Sequence, residues 1–224
     1  LMKKHLRLTA ALVCLSLLFL LTGCQDSKAF SPSASSTWGE LCKQFQPEWY
    51  KALPNEVSAQ LDSLLLNENH SSAVSEPDPS AIAAVYQEVE QSKDDGYTVL
   101  GMDNGELTSG DSTELMGMSL MLNEQDNALD YMLSAYSSLE TAPTEVCLVI
   151  ALSDPESGTY QAAAASTVSV TNDVDGVAES FQKLKHDHPY KVQAIAIVAP
   201  PEGYQSSGPL YVEQEVTTIE PTTK

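Results

Sequence analysis

Seven consecutive apolar residues at 146–152, Val-Cys-Leu-Val-Ile-Ala-Leu, constrain the fold of this chain more than any other stretch. A short apolar run of this kind is typical of a strand whose two faces are both covered. The following segment at 154–158, Asp-Pro-Glu-Ser-Gly, favours a chain reversal, and residues 160–171 then largely alternate apolar and polar side chains. The pattern predicts a β-hairpin within a sheet.

Other periodic segments complete the predicted fold. Strands are predicted at 192–199 and 210–219, and a hairpin at 97–108 that turns at Asn104-Gly105. Apolar residues at helical spacing predict helices at 80–93, at 111–139 with a break at 123–127, and at 172–184, where Asn172 is the expected N-cap. This order of elements predicts an α+β fold, in which a mainly antiparallel sheet has helices packed on one face.

A small helical region precedes this predicted sheet. Thr37 and Glu40 have the spacing of a capping box, and Pro47 and Pro54 each suit the first turn of a helix. These signals predict a helical region at 37–66. Residues 67–79 are polar and contain two prolines, so they are predicted to be a linker, and 80–224 is predicted to be the α+β domain.

The charge of the chain is strongly acidic. After residue 23 it has eight lysines, no arginine and 31 carboxylates, a net charge of −23. Sixteen of the carboxylates lie between Lys93 and Lys183, where there is no Lys, Arg or His. Because binding to phosphates needs clustered basic residues, the composition argues against nucleic acid as a partner. Among possible partners it favours a divalent cation or a basic protein, but acidity that only keeps the protein soluble explains the charge more readily than a specific cation site does.

The first 24 residues have the features of an export signal. Lys3, Lys4 and Arg7 precede fourteen uncharged residues at 8–21, and 21–24 reads Leu-Thr-Gly-Cys. This pattern resembles the signal peptide and lipobox of bacterial lipoproteins. The resemblance covers residues 2–24 and implies removal of 1–23, fatty acylation of Cys24, for example with palmitate, and a lipid anchor on the extracytoplasmic face of the cell membrane. A plain secretory signal and an uncleaved membrane anchor are the alternatives.

Residues 24–36 are rich in serine and are predicted to be a flexible tether.

Two cysteines remain besides Cys24 once the signal is removed. An extracytoplasmic compartment permits a disulfide between Cys42 and Cys147. Cys42 lies on an apolar helical face and Cys147 lies within an apolar run, so two buried thiols are the alternative. The sequence leaves both open.

One catalytic motif is suggested. Gly110-Asp111-Ser112 resembles the nucleophile block of the GDSL-type esterases. Thr113 stands where that family has leucine, however, and no Asp lies three residues before His186 or His188. A helix N-cap at Asp111 explains the same residues without catalysis.

Three patterns suggest metal binding. His186-Asp187-His188 places two imidazoles where an extended segment, but not a helix, directs both to one ion. The alternative for this pair is a cationic helix C-terminus. All mature methionines lie at 102–132, and their thioethers suit copper(I), although core packing explains them better: they are Met102, Met116, Met118, Met121 and Met132. The segment 173–176 resembles the middle of a calcium loop, but the EF-hand ligand positions are not filled. No cofactor is predicted.

Two functions follow from these observations. The favoured one is a lipid-anchored envelope protein that acts as a non-enzymatic binding or interaction module with an acidic surface. The alternative is an extracytoplasmic hydrolase that acts on cell-wall material with carboxylates alone. The sequence leaves open whether the protein is an enzyme. Binding is expected at the loops 103–111 and 154–158, because loops on a rigid scaffold commonly display binding groups.

Overall fold

The computed structural model describes residues 29–72 and 83–219. Within these ranges the helices are α1 (Trp38–Phe45), α2 (Pro47–Ala52), α3 (Asn55–Ser63) and α4 (Ala83–Asp94). The strands are β1 (Thr98–Ser109), β2 (Ser112–Glu124), β3 (Ala128–Ser137), β4 (Thr144–Asp154), β5 (Thr159–Val170), β6 (Asp173–Gln182), β7 (Pro189–Ala199), β8 (Gln205–Ser206) and β9 (Leu210–Thr217).

The strands form two sheets that enclose the main core. The first has the strand order β6-β3-β2-β1-β8 and the second has the order β5-β4-β7-β9. Neighbouring strands are antiparallel in both sheets. The sheets approach each other at their margins, where β1 contacts β9 and β5 contacts β6. The mainly antiparallel character is confirmed, but the α+β prediction with helices packed on one face is wrong, because the layer that closes the main core is a second sheet.

The helices predicted at 111–139 and 172–184 are the strands β2, β3 and β6. Both faces of β2 are covered: Met118 and Leu120 face the core between the sheets, and Met121 packs on the opposite face. A strand of this kind carries apolar residues at nearly every position, so its pattern resembles that of a buried helix. Asn172 has a φ of 45°, in the left-handed region, so it forms the corner between β5 and β6 and is not an N-cap.

The hairpin predicted at 97–108 is one continuous strand, β1, paired with β2 along almost all its length. The turn lies at Gly110-Asp111, where Gly110 has a φ of 57°, a conformation that glycine adopts at the first position of a type II′ turn. Gly105 is needed for close packing instead. A Cβ at this position would lie 2.6 Å from the Met116 side chain and 2.7 Å from Ser207 Oγ.

The helical region lies against the outer side of the second sheet. The capping box at Thr37 and Glu40 is confirmed at the start of α1, and Pro47 begins α2. Apolar side chains of this region are buried with side chains of β4, β5, β7 and β9 that point away from the main core. On the helical side the buried residues are Trp38, Leu41, Cys42, Val57, Leu61 and Leu66.

Cys42 and Cys147 lie in this second apolar cluster, and both thiols are free. The pKa of the Cys42 thiol is raised to about 12, mainly by burial and to a smaller extent by the charges of Asp62 and Cys147. Burial also raises the pKa of Cys147, although the Thr167 hydroxyl 3.6 Å from its sulfur partly opposes this. The structure therefore has the two buried thiols that were one of the two alternatives.

Candidate functional site

The predicted lipidation site, Cys24, lies outside the described residues, as do the signal at 1–23 and the first part of the tether. Among the helices of the described ranges, none has the length and apolar character needed to cross a membrane. Lipid anchoring at Cys24 stays a prediction.

The two loops predicted to share a ligand lie at opposite ends of the sheets. Residues 154–158 join β4 to β5, next to the loop 183–188. In the loop 183–188, the Leu184 amide donates a hydrogen bond to the Asn127 carbonyl, which lies just after the end of β2. The Gly110-Asp111 turn lies just before the start of β2. The length of β2 places the two turns about 40 Å apart, at about 3.3 Å per residue. The two loops therefore cannot contact one small ligand together.

Asp103 is a buried carboxylate in the middle of β1, only 4% exposed. Its Oδ1 accepts hydrogen bonds from the Ser71 hydroxyl at 2.7 Å and the Asn104 amide at 2.9 Å. Its Oδ2 accepts a bond from the Tyr211 amide, also at 2.9 Å. Because Tyr211 lies in β9, Asp103 joins one sheet to the other and has a structural role.

Asp154 is the other strongly buried carboxylate of the described chain, 5% exposed at the end of β4. Its Oδ1 accepts hydrogen bonds from the amides of Glu156 at 2.9 Å and Ser157 at 3.2 Å. Its Oδ2 lies 3.2 Å from Lys185 Nζ and 3.1 Å from His188 Nε2. Burial alone would raise the pKa of Asp154, but these donors outweigh it and lower the pKa to about 2. The carboxylate is therefore ionised at neutral pH and faces the Lys185 ammonium and the His188 imidazole.

The structure separates the two predicted metal-binding histidines. His186 is exposed, and its Nδ1 lies 2.8 Å from Asp126 Oδ1, whereas His188 is buried against Asp154. The helix C-terminus expected at this position is absent, because 183–188 is a loop between β6 and β7. His188 instead has a metal-ligand neighbour that the sequence did not suggest. Donor atoms of Asp154, Glu156 and His188 all lie within 4.8 Å of one another.

The methionines are divided between two faces of the first sheet. Met116 and Met118 are in the core between the sheets, and Met102, Met121 and Met132 pack on the opposite face. The Ser92 hydroxyl of α4 donates to the Met132 sulfur at 3.7 Å. The five thioethers therefore do not surround one ion, and their positions are those of packing residues.

The remaining motif residues also have structural positions. Asp111 and Ser112 are exposed at the β1–β2 turn, so the GDSL-like segment is not a helix N-terminus. The segment that resembles a calcium loop begins the strand β6, where the side chains of Asp173 and Asp175 each accept a hydrogen bond from the next backbone amide.

Six carboxylates lie at the end of the molecule that contains the β1–β2 turn. Ser138 donates to Glu114 at 2.9 Å, Asn172 donates to Glu140 at 3.3 Å, and β3 pairs with the start of β6 here. We call this group the acidic end: Asp111, Glu114, Glu140, Glu145, Asp173 and Asp175. None of the six forms an ion pair with any residue in the described ranges.

A buried polar network under the helical region was missed from the sequence. Tyr160 donates its hydroxyl proton to Gln193 Oε1 at 2.7 Å, and Gln193 Nε2 donates to the Tyr211 hydroxyl at 2.8 Å and the Leu66 carbonyl at 3.2 Å. Burial, together with the charge of Glu213, raises the pKa of Tyr160 to about 12. The network fixes the chain after α3 to the sheet. Its sequence signal is a single glutamine within the apolar run at 192–198.

Comparison with models of protein families and with curated protein sequences finds no match to this chain.

Proposed function

We propose that this chain is a lipid-anchored extracytoplasmic envelope protein that acts as a non-enzymatic binding module and binds a basic protein partner at its acidic end. The anchor part of the proposal rests on the lipobox-like residues 21–24 and on the serine-rich tether that follows Cys24. The binding part rests on the charges of the two-sheet scaffold.

The observation that carries the proposal is the uncompensated charge at the acidic end. Between Lys93 and Lys183 only Asp126 and Asp154 take part in ion pairs, counting the side chains that are described, and both lie at the opposite end of the sheets. The acidic end therefore presents carboxylates that are hydrogen-bonded only to neutral groups. A surface with charges of one sign raises the association rate of an oppositely charged partner and disfavours like-charged ones.

The two most buried carboxylates of the described residues do not form the acid–base pair that the hydrolase alternative requires. The two most buried carboxylates of the described chain, Asp103 and Asp154, are tied to opposite ends of β9, through Tyr211 and through His188 and Thr218 respectively. Seven residues of extended chain separate Tyr211 from Thr218, a distance of about 23 Å. Acid–base pairs of glycosidases lie about 5–10 Å apart, so these two carboxylates cannot act on one bond.

A charge-matched pair of variants tests the proposal. The probe is a fluorescent lysine-rich peptide, and binding to the chain from residue 25 onward is followed by anisotropy at physiological salt. The first variant neutralises four carboxylates of the acidic end: Glu114→Gln, Glu140→Gln, Asp173→Asn and Asp175→Asn. The second neutralises four exposed carboxylates elsewhere: Glu48→Gln, Glu56→Gln, Glu68→Gln and Glu202→Gln.

We expect the first variant to lose most of its affinity and the second to keep it, although their net charges are equal. An equal loss in both would mean that the peptide responds to net charge alone, and the proposed binding surface would be wrong.

A further inference from the structure

We propose that Asp154, Glu156 and His188 bind one divalent transition-metal ion, at the end of the sheets opposite to the acidic end. This site is independent of the proposed partner surface. Its residues come from two loops that are distant in sequence. Asp154 ends β4 and Glu156 lies in the β4–β5 turn, whereas His188 immediately precedes β7.

The geometry of the three donors is close to that of a bound ion. Two ligands of a tetrahedral zinc ion lie about 3.4 Å apart, because each bond is about 2.1 Å long. Asp154 Oδ2 and His188 Nε2 are 3.1 Å apart, and the three donors lie within 4.8 Å of one another. Glu156 is exposed in a turn, so its flexible side chain can supply the remaining movement.

The two buried ligands are held in place by their surroundings. The amides of Glu156 and Ser157 hold Asp154 Oδ1, which leaves Oδ2 directed at His188. The His188 ring packs edge-on against Tyr190 with centroids 4.9 Å apart, and its backbone amide donates to the Thr218 hydroxyl. Partners of this kind orient the ligands of metal sites.

The donor set selects the class of metal. An imidazole nitrogen with two carboxylates suits zinc and its neighbours among the divalent transition metals, whereas calcium and magnesium prefer sites made of oxygen alone. We therefore expect zinc to bind in preference to calcium.

Lys185 distinguishes a metal site from a purely structural role of Asp154. Its ammonium lies 3.2 Å from the same Oδ2, but its side chain is 66% exposed and can move into solvent. A metal ion must compete with this charge for Asp154. If the metal site exists, replacement of Lys185 should therefore strengthen metal binding. If Asp154 only anchors the loop, the same replacement should destabilise the loop without strengthening metal binding.

The experiment is calorimetric titration of zinc chloride into the chain from residue 25 onward, prepared without a histidine tag. We expect one saturable site per chain. Glu156→Gln should weaken binding by about tenfold or more, the loss expected when a group at a metal site is removed. Lys185→Gln should tighten it by roughly five- to thirtyfold, the upper value being the full effect of removing one charge about 4 Å from a doubly charged ion in a solvent-like medium.

His186→Gln is the matched control, because it removes an exposed imidazole from the same loop without touching the three ligands. It should bind zinc like the unmodified chain, and calcium at equal concentration should not compete. The proposal is overturned if the unmodified chain has no saturable site, if Glu156→Gln binds as tightly as the unmodified chain, or if His186→Gln abolishes binding. Weaker binding by Lys185→Gln would also overturn it.

Discussion

The change Leu61→Ala tests whether the helical region and the two sheets share one folded unit. Leu61 is fully buried in the cluster that α1 and α3 form with the outer side of the second sheet. Removing three carbon atoms loses about 2.4 kcal/mol of transfer free energy at about 0.8 kcal/mol per carbon. The cavity adds to this, so we expect a loss of about 3–4 kcal/mol in the free energy of unfolding. For a domain of this size that corresponds to a fall of roughly 6–16 °C in the melting temperature.

The two tryptophans make the assay selective. Trp38 and Trp49 both lie in the helical region, so fluorescence reports on that region, while far-ultraviolet circular dichroism near 217 nm also contains the signal of the strands. In a urea titration Leu61→Ala should move both transitions by the same amount. The exposed neighbour Gln60→Ala should change the free energy by no more than about 0.5 kcal/mol. If fluorescence shifts while the dichroism transition stays in place, the helices form a separate unit and the shared-core reasoning fails.

Three further predictions concern the anchor, the thiols and one turn. Labelling of cells with a fatty-acid analogue should tag the protein, and Cys24→Ala should abolish the tag; label that persists in this variant would contradict lipidation. Cys42 and Cys147 should resist alkylation by iodoacetamide at pH 8 until urea unfolds the chain, because both are buried and have raised pKa values, and mass spectrometry that finds rapid native labelling would refute this. Asn172→Ala should lower the free energy of unfolding by about 1 kcal/mol and Asn172→Gly by much less, because the φ of 45° strains alanine but not glycine; equal losses in chemical denaturation would exclude backbone strain as the cause.

Sequence patterns that lie within one element and allow one interpretation predicted the structure correctly. The capping box at Thr37 defined the start of α1, and the apolar run at 146–152 is the buried centre of β4. The strand expected at 192–199 is the buried part of β7. In each case the residues that fix the structure lie within one element, so the sequence contains the whole signal.

The predictions that were wrong or missing concern features that depend on contacts between distant parts of the chain. The apolar residues of β2 face both sides of the first sheet, and only the finished fold shows that the second sheet covers one side while Met121 packs with Tyr136 and Met132 on the other. Asn104-Gly105 is a strong turn signal, yet the pairing of β1 with β2 extends past it to Ser109. The contact of Asp154 with His188 joins residues 34 positions apart, and no local spacing could have indicated it.

A nuclear magnetic resonance titration of the nitrogen-15-labelled chain with the lysine-rich peptide tests directly whether the acidic end is the binding surface. We predict that the largest amide shift changes lie at 110–114, 138–141 and 172–176, which surround the acidic end. We predict small changes at 154–158 and 184–188, where Asp154 is already paired with the Lys185 ammonium. Changes spread evenly over the surface, or concentrated at 154–158, would contradict the claim that the acidic end is the binding surface.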